Sequence, residues 1–408
     1  MEQPGVIVVG SGQAGFQLVA SLRDEGYQGP LTLIGDEPGL PYQRPPLSKS
    51  FLAGKAQPGQ IELRPAGFYA ERNIALIAPD RVTNIDRSAR RVTLASGASL
   101  AYEHLVLATG ARARMPAVPG VNLQGVLALR TRADAEALLA GLQEARRVVV
   151  VGAGFIGLEV AVMARQLGLE VRVIEFADRV LKRAVSAPTA DYLAQAQATR
   201  GMQFSLRTGV AAFTGSDGRV EAVLTTGGES VPADLVVVGV GVEPNVELAR
   251  ASGLQVQDGI VVDRHLVTSD PFISAIGDCA RYPAGYCDAP VRLESVQNAV
   301  DQARCVAARI VGKAEPYAKV PWFWSDQGEN RLQIAGLAEA GDSAVLRGDP
   351  ATGKFSVFRF RDGRLSAVES INSVADHMAA RKLLAAATPI SPTQVADPSV
   401  KLAALIAA

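Results

Sequence analysis

The chain has 408 residues, 48% of them hydrophobic, and its 41 lysines and arginines are matched by 41 aspartates and glutamates. That length is too great for one hydrophobic core and implies two or three domains. A formal net charge of zero gives no support to a nucleic-acid partner or an anionic membrane surface, and neither is expected.

Cysteine use narrows the class further. Only Cys279, Cys287 and Cys305 occur, with no C-x-x-C pair and no zinc-like spacing. Neither a disulfide framework nor a metal site is expected, and a reducing cytoplasm fits. The chain begins Met1-Glu2-Gln3-Pro4-Gly5 and enters a strand directly, without a basic start and apolar signal core. Its apolar stretches are interrupted, for example by Gly15 and Glu159, so no membrane span is expected.

The first predicted strand is Val6-Ile7-Val8-Val9. It runs into Gly10-Ser11-Gly12-Gln13-Ala14-Gly15, followed by a helix over Phe16 to Leu22. A second strand, Leu31-Thr32-Leu33-Ile34, ends at Gly35-Asp36. Asp36 thus falls roughly 20 residues after the last glycine, where an acid accepts hydrogen bonds from an adenosine ribose. Glycines at these positions allow a tight turn and bring backbone N–H groups to a pyrophosphate at a helix start. Next, Leu105-Val106-Leu107-Ala108-Thr109-Gly110 reads as a buried strand ending in small residues.

The plan then repeats. Val148-Val149-Val150-Val151 leads into Gly152-Ala153-Gly154-Phe155-Ile156-Gly157, a helix over Leu158 to Leu167, and the strand Val171-Arg172-Val173-Ile174 ending at Glu175. One such loop suggests a dinucleotide; two suggest a pair held face to face for hydride transfer. A later strand, Leu235 to Gly241, precedes Glu243-Pro244-Asn245. Another runs through Phe272-Ile273-Ser274-Ala275-Ile276 into an exposed acid, Asp278, and a helix follows between Leu293 and Ile310.

After Pro321 the character changes. Trp322 and Trp324 lie in Trp322-Phe323-Trp324-Ser325-Asp326-Gln327. Alternating segments at 332–336, 343–346 and 355–360, with the turn Asp362-Gly363, predict antiparallel strands. Two helices are expected at the end, over Asp376 to Ala386 and Ser399 to Ala407, completing a small α+β domain.

Together these motifs resemble the FAD-dependent pyridine-nucleotide-disulfide oxidoreductases, and within them the ferredoxin reductases of bacterial oxygenase systems. The segments that carry the likeness include Pro45-Pro46-Leu47-Ser48-Lys49, Ala108-Thr109-Gly110, Gly154-Phe155-Ile156-Gly157-Leu158-Glu159, Ile276-Gly277-Asp278-Cys279-Ala280 and Glu294-Ser295-Val296-Gln297-Asn298. The tryptophan segment belongs to the same set. The resemblance covers essentially the whole chain. It implies an α/β fold of two Rossmann-like, glutathione-reductase-like dinucleotide domains plus a C-terminal α+β domain. An FAD domain over 1–113 and 247–320 would be interrupted by an NAD domain over 114–246, with the last domain over 321–408.

The resemblance also implies site roles. FAD would be held by Gly10, Gly12, Ala14, Gly15, Asp36, Arg44, Lys49, Val82, Ala108, Thr109, Gly110, Arg130, Asp278 and Val296. NADH would be held by Gly152, Gly154, Ile156, Gly157, Glu175 and Gly241. A carboxylate at Glu175 favours NADH over NADPH by repelling the extra phosphate, although Arg179, Lys182 and Arg183 follow closely. Lys49 and Glu159 would pair as an electrostatic tuner of the flavin, and Trp324 would stand at the electron exit.

Several of these residues have plainer readings. Lys49 alone would be a solvated lysine, and Glu159 a helix acid favoured by the dipole. Asp278 would serve as a helix cap, Arg130 as a surface arginine, and one tryptophan as core filling. Cys279 reads as a small buried residue, and His104, His265 and His377 receive no chemistry.

The activity implied is NADH-dependent reduction of FAD, with single electrons passed to a 2Fe–2S ferredoxin that supplies a haem-thiolate monooxygenase or aromatic-ring dioxygenase. Rubredoxin is an alternative acceptor. The other readings are a thiol-active enzyme or NADH oxidase, which needs a cysteine before Cys279, and a nucleotide-sensing flavoprotein. A monomer or weak dimer in the cytoplasm is expected.

Overall fold

The computed structural model describes residues 4–287 and 289–406. They fall into two compact units. One comprises residues up to Gln43, Pro58–Arg112 and Glu243–Lys319. The other comprises Arg44–Gln57, Ala113–Val242 and the chain from Val320.

The first unit is built on a seven-stranded sheet. Its parallel part places Ala75–Ile77, Leu31–Ile34, Gly5–Val9, Ser99–Leu107 and Ile273–Ala275 side by side. The early half of Ser99–Leu107 pairs antiparallel with Arg91–Leu94, which pairs in turn with Val82–Asp86. Val6, Ile7, Val8 and Val9 are all buried, as a parallel strand covered on both faces requires. Helices Gln13–Asp24 and Val296–Ile310 lie against each other beside this sheet.

The second unit contains a five-stranded parallel sheet in the order Gln203–Ser205, Glu170–Ile174, Arg147–Val151, Leu235–Val238, Val126–Ala128. Val151 pairs with Ile174 on one side and Val238 on the other, so the strand ends align beside the glycine loop. A three-stranded antiparallel sheet, Val210–Ser216, Arg219–Thr225 and Ser230–Pro232, was not expected. Its Val220, Val223 and Val231 share a core with Val149, Val151 and Val236.

The same unit ends in a five-stranded antiparallel sheet, ordered Trp322–Gln327, Asn330–Gly336, Arg364–Ile371, Lys354–Arg361, Ser343–Asp349. Helix Val374–Ala385 covers it, joining Ala379, Ala380 and Leu383 to Phe358, Phe360 and Val368. Arg347 reaches from this sheet to the carbonyls of Val395, Asp397, Pro398 and Val400 and so fastens the last segment.

The expected α/β class with a C-terminal α+β domain is present, and element limits differ in instructive ways. Helix Gln13–Asp24 takes in Ala14 and Gly15, and Phe155–Gln166 takes in Ile156 and Gly157, because Gly12 and Gly154 act as N-caps. The strand expected to reach Gly110 stops at Leu107, and the one expected to reach Gly241 stops at Val238. Gly110 and Gly241 have φ of 66° and 109°, which no strand tolerates. The last expected helix is instead Pro392–Ala396 followed by a 3-10 turn, Leu402–Ile406; Ala407 lies outside the described residues. Among the described residues no helix is long and apolar enough to cross a membrane.

Candidate functional site

Each glycine loop is made by backbone contacts that admit no side chain. In the first unit, a Cβ on Gly10 would lie 2.2 Å from the Ala108 carbonyl oxygen, and one on Gly15 would lie 1.9 Å from that of Gly10. Thus Ala108 closes the floor of the loop, and Gly15 lets the helix approach the strand. Thr109 Oγ1 donates to the Asn245 carbonyl at 2.7 Å, while Asn245 Nδ2 donates to the Thr109 carbonyl at 2.9 Å. The Asn245 N–H also binds the Gly110 carbonyl, fixing the strand end.

The second unit repeats the construction with different neighbours. A Cβ on Gly152 would meet the Gly239 carbonyl oxygen at 2.5 Å, and one on Gly157 that of Gly152 at 2.3 Å. Gly241 accepts from the Arg114 N–H. Ile156, the second helical residue, is an exposed apolar side chain at the loop.

Gly12 and Gly154 behave differently. A Cβ on Gly12 would find nothing within 4 Å, and one on Gly154 only the Gly239 oxygen at 3.6 Å. Both are helix N-caps without a side-chain cap bond. Their loops therefore present open space beside first-turn N–H groups, the donor set that a pyrophosphate accepts. On this test both loops fit a dinucleotide.

The acids after the second strands differ. Asp36 is exposed, with Arg81 Nη2 at 3.7 Å. Glu175 instead turns back onto its own loop: Oε2 accepts from the Ala153 N–H at 2.6 Å and Oε1 from the Ala177 N–H at 2.7 Å. A hydroxyl pair approaching this loop meets a carboxylate already oriented by backbone.

The second unit also contains a buried carboxylate with three donors. Glu159 Oε2 accepts from Lys49 Nζ at 2.7 Å and from Ser48 Oγ, while Oε1 accepts from Ser325 Oγ at 2.6 Å. The Glu159 side chain is 5% exposed and that of Lys49 25%. The expected pair therefore forms. Glu159 is the fifth residue of helix Phe155–Gln166, beyond the first turn, so a dipole-favoured terminal acid does not describe it. Ser48 and Ser325 were not expected in this cluster. Alternation along Trp322–Gln327 puts Phe323, Ser325 and Gln327 on one face. Phe323 stacks on Phe155 at 4.5 Å, which brings that face to the glycine-loop helix.

The remaining expected residues are dispersed. Arg44 and Lys49 flank the 3-10 turn Pro45–Ser48 and belong to the second unit. Arg44 donates to the Arg130 carbonyl at 2.6 Å, and Arg130 N–H binds Asp134, which also forms a capping box with Thr131. Val82 is buried at the start of Val82–Asp86 in the first unit.

Asp278 sits half-buried within the turn Gly277–Cys279, not exposed as expected. The helix Val296–Ile310 is capped by Ser295, whose Oγ accepts from the Asn298 N–H, while Asp278 lies in the first turn of Gly277–Cys279. Val296 is that helix's first residue.

Trp322 and Trp324 are both half-buried, and Trp322 is the one packed against the C-terminal core. Trp322 lies 5.9 Å from the His377 ring and under the Arg381 guanidinium at 4.5 Å. Trp324 lies 5.6 Å from it. Cys279 is fully buried, its thiol directed at the carbonyls of Leu107 and Ile276, and burial pushes its pKa up.

Comparison with known proteins agrees with this geometry. Residues 4–303 match the family described as pyridine nucleotide-disulphide oxidoreductase, and residues 322–406 that described as reductase C-terminal. The chain is 50% identical over 402 residues to rhodocoxin reductase of Rhodococcus erythropolis, covering 98% of this chain and 94% of that protein. It is similar to the crystal structure of the ferredoxin reductase for the CYP199A2 system from Rhodopseudomonas palustris, with TM-score 0.96, 48% identity, and 98% and 99% of the two chains covered. It is also similar to a chain of the covalent putidaredoxin reductase–putidaredoxin complex, at 40% identity and TM-score 0.96 over 100% of this chain and 99% of that one. The family read from the motifs is borne out: the chain belongs to the pyridine nucleotide-disulphide oxidoreductases and carries their reductase C-terminal domain.

Proposed function

We propose that this chain is an NADH-dependent ferredoxin reductase holding FAD. The observation that carries the reading is full-length similarity to ferredoxin reductases together with two glycine cradles that each leave room at an uncapped helix start. FAD supplies the conversion of a hydride from NADH into single electrons for a 2Fe–2S ferredoxin, whose terminal partner is a haem-thiolate monooxygenase or an aromatic-ring dioxygenase.

The chain's own residues do the rest. In the first unit, Gly12, Ala14 and Gly15 present N–H groups to the FAD pyrophosphate, Gly10 makes the turn beneath them with its own N–H on the Ile34 carbonyl, and Asp36 accepts from the adenosine ribose. Val82, Ala108, Thr109, Gly110, Asp278 and Val296 line the same cofactor, with Arg44 and Arg130 assigned to its phosphates and loop. In the second unit, Gly152, Gly154, Ile156, Gly157 and Gly241 shape the NADH loop. Glu175 accepts from both ribose hydroxyls, and its charge disfavours a phosphate there. Lys49, held by Glu159, carries the positive charge that stabilises a reduced flavin. Trp324, rather than Trp322, which packs against the C-terminal core, is assigned to the electron exit. We assign the FAD domain to 1–113 and 247–320, the NAD domain to 114–246 and the last domain to 321–408.

A thiol-active alternative is disfavoured by Cys279. Its sulfur is enclosed and its pKa is raised by burial, the reverse of a reactive thiolate. We assign the chain to the cytoplasm, where NADH is supplied and a buried thiol such as Cys279 stays reduced. The test is to purify the protein, identify the released flavin, and compare NADH with NADPH in rapid reduction. Cytochrome c reduction is then measured with and without 2Fe–2S ferredoxins. Ferredoxin-dependent turnover with NADH is expected. Turnover indifferent to every ferredoxin but active on disulfides or oxygen overturns the reading.

A further inference from the structure

The two oxygens of Glu159 are served from different parts of the second unit. Oε2 takes Ser48 and Lys49 from the loop after Arg44; Oε1 takes Ser325, from the first strand of the C-terminal sheet. Donor direction is fixed by chemistry. A carboxylate only accepts, so Ser325 Oγ–H must donate to Oε1. The Ser325 oxygen then receives Gln327 Nε2 at 2.9 Å, which fixes the Gln327 amide with its NH2 toward the serine. Ser325 is 0% and Gln327 1% exposed, so water does not compete at either side chain. The Gln327 carbonyl is held separately by Gln197 Nε2 at 3.0 Å.

We infer that Ser325 is a positioning residue for the Lys49–Glu159 pair, with Gln327 holding its hydroxyl in the donating orientation. The C-terminal sheet thereby sets the rotamer of Glu159 and, through it, the place of the Lys49 charge. Without Ser325, Oε1 loses its donor from the C-terminal strand, and the carboxylate turns away from the place where it holds Lys49. The consequence for hydride transfer rests on the functional reading above; the consequence for Lys49 does not.

The experiment reads Lys49 directly. The purified holoprotein and its variants are reductively methylated, and the labelling rate of Lys49 is followed by mass spectrometry against distant lysines. The amine reacts when it leaves the carboxylate, so Ser325→Ala is expected to raise the Lys49 rate about threefold, in line with a lost ion pair. Glu159→Gln is expected to raise it as much. Ser325→Thr, which keeps the hydroxyl, should stay near the parent. The double variant should add nothing to Glu159→Gln, since both act through one interaction.

Flavin midpoint potential and the rate of reduction by saturating NADH should move in the same order across the set. Gln327→Met offers a second route should Ser325→Ala fold poorly, and it should raise labelling to a smaller extent. Parent-like Lys49 labelling in Ser325→Ala, beside a raised rate in Glu159→Gln, overturns the inference, as does full additivity. Labelling that follows the expected order while flavin reduction ignores Glu159→Gln counts instead against the role assigned to the pair in catalysis.

Discussion

The two glycine-loop regions share a construction and differ in their acid. Both use the first and third glycines to pass backbone oxygens that a Cβ would strike, and both leave the middle glycine beside open space. Yet Asp36 stands out in solvent near Arg81, whereas Glu175 is folded back onto the Ala153 and Ala177 N–H groups. The first arrangement leaves the acid to be ordered by a ligand. The second has it ordered beforehand, so less conformational freedom is lost on binding. A tightly kept cofactor and an exchanging one place different demands on such a carboxylate, and the contrast separates the two loops despite their common pattern.

The strongest way to break this comparison is at the third glycines. Gly15→Ala and Gly157→Ala each force a side chain onto a carbonyl oxygen and should cost about 4 kcal/mol in urea unfolding. The first should lose FAD altogether; the second should keep its yellow colour and lose reduction by NADH. Identical phenotypes would show the loops to be coupled in folding.

The middle glycines are sharper, because they separate ligand from fold. Gly12→Ala meets no protein atom, so the apoprotein should lose only about 1 kcal/mol for the poorer N-cap while FAD affinity drops about 100-fold, as a side chain enters the pyrophosphate's place. Gly154→Ala should do the same for NADH in equilibrium titration. Unchanged affinity in either would mean that the open side is not the bound side.

The sheets beneath the loops also differ, and acid tests them. In the first, His104 is enclosed with Ser274 and Arg309, and burial, with the nearby Arg309 charge, lowers its pKa from 6.5 to about 3. Its unfolded form takes up a proton first as pH falls, so its contribution is full above about pH 6.5 and is lost on descending toward about pH 3. In the second, the Arg147 side chain and backbone hold Asp234 down to about 2, so that contribution survives until pH falls below the usual carboxylate range. His104→Gln should therefore flatten the decline in stability between about pH 6.5 and about pH 4, by about 2 kcal/mol, in urea unfolding. The same decline in parent and variant would remove His104 from the account.

The smallest expected effect is at the acids themselves. Glu175→Gln should weaken NADH about 10-fold and narrow the preference over NADPH, measured as Kd for both. Asp36→Asn should leave NADH binding untouched.

Much of this was legible in the chain because the signals are local. Val6–Val9 before Gly10, and Val148–Val151 before Gly152, announce strand, turn and helix within a dozen residues or so. Limits were less legible: the helices begin at Gln13 and Phe155 because the cap is a glycine, which gives no side-chain signature. The strand Arg364–Ile371 was missed although its partners were found, since it follows a two-residue turn in a run of mixed polarity. The sheet of Val210–Ser216, Arg219–Thr225 and Ser230–Pro232 was hidden for a related reason, its buried valines being spaced among exposed residues. Ser325 carries no local sign of its partnership with Glu159. Its alternation with the tryptophans marks a face, but only tertiary packing says what that face meets.

The bare N-caps at Gly12 and Gly154 have one more consequence. Natural helices ordinarily close this end with a serine, threonine or aspartate, and a glycine there gives up roughly a few tenths of a kcal/mol. At these two helix starts no side chain supplies that closure, so nucleotides bound as proposed would complete the helices as well as occupying a pocket. Heat resistance of this protein should then report nucleotide supply: a cell short of flavin would hold a softer, more protease-sensitive population, and turnover of the polypeptide would follow its loading.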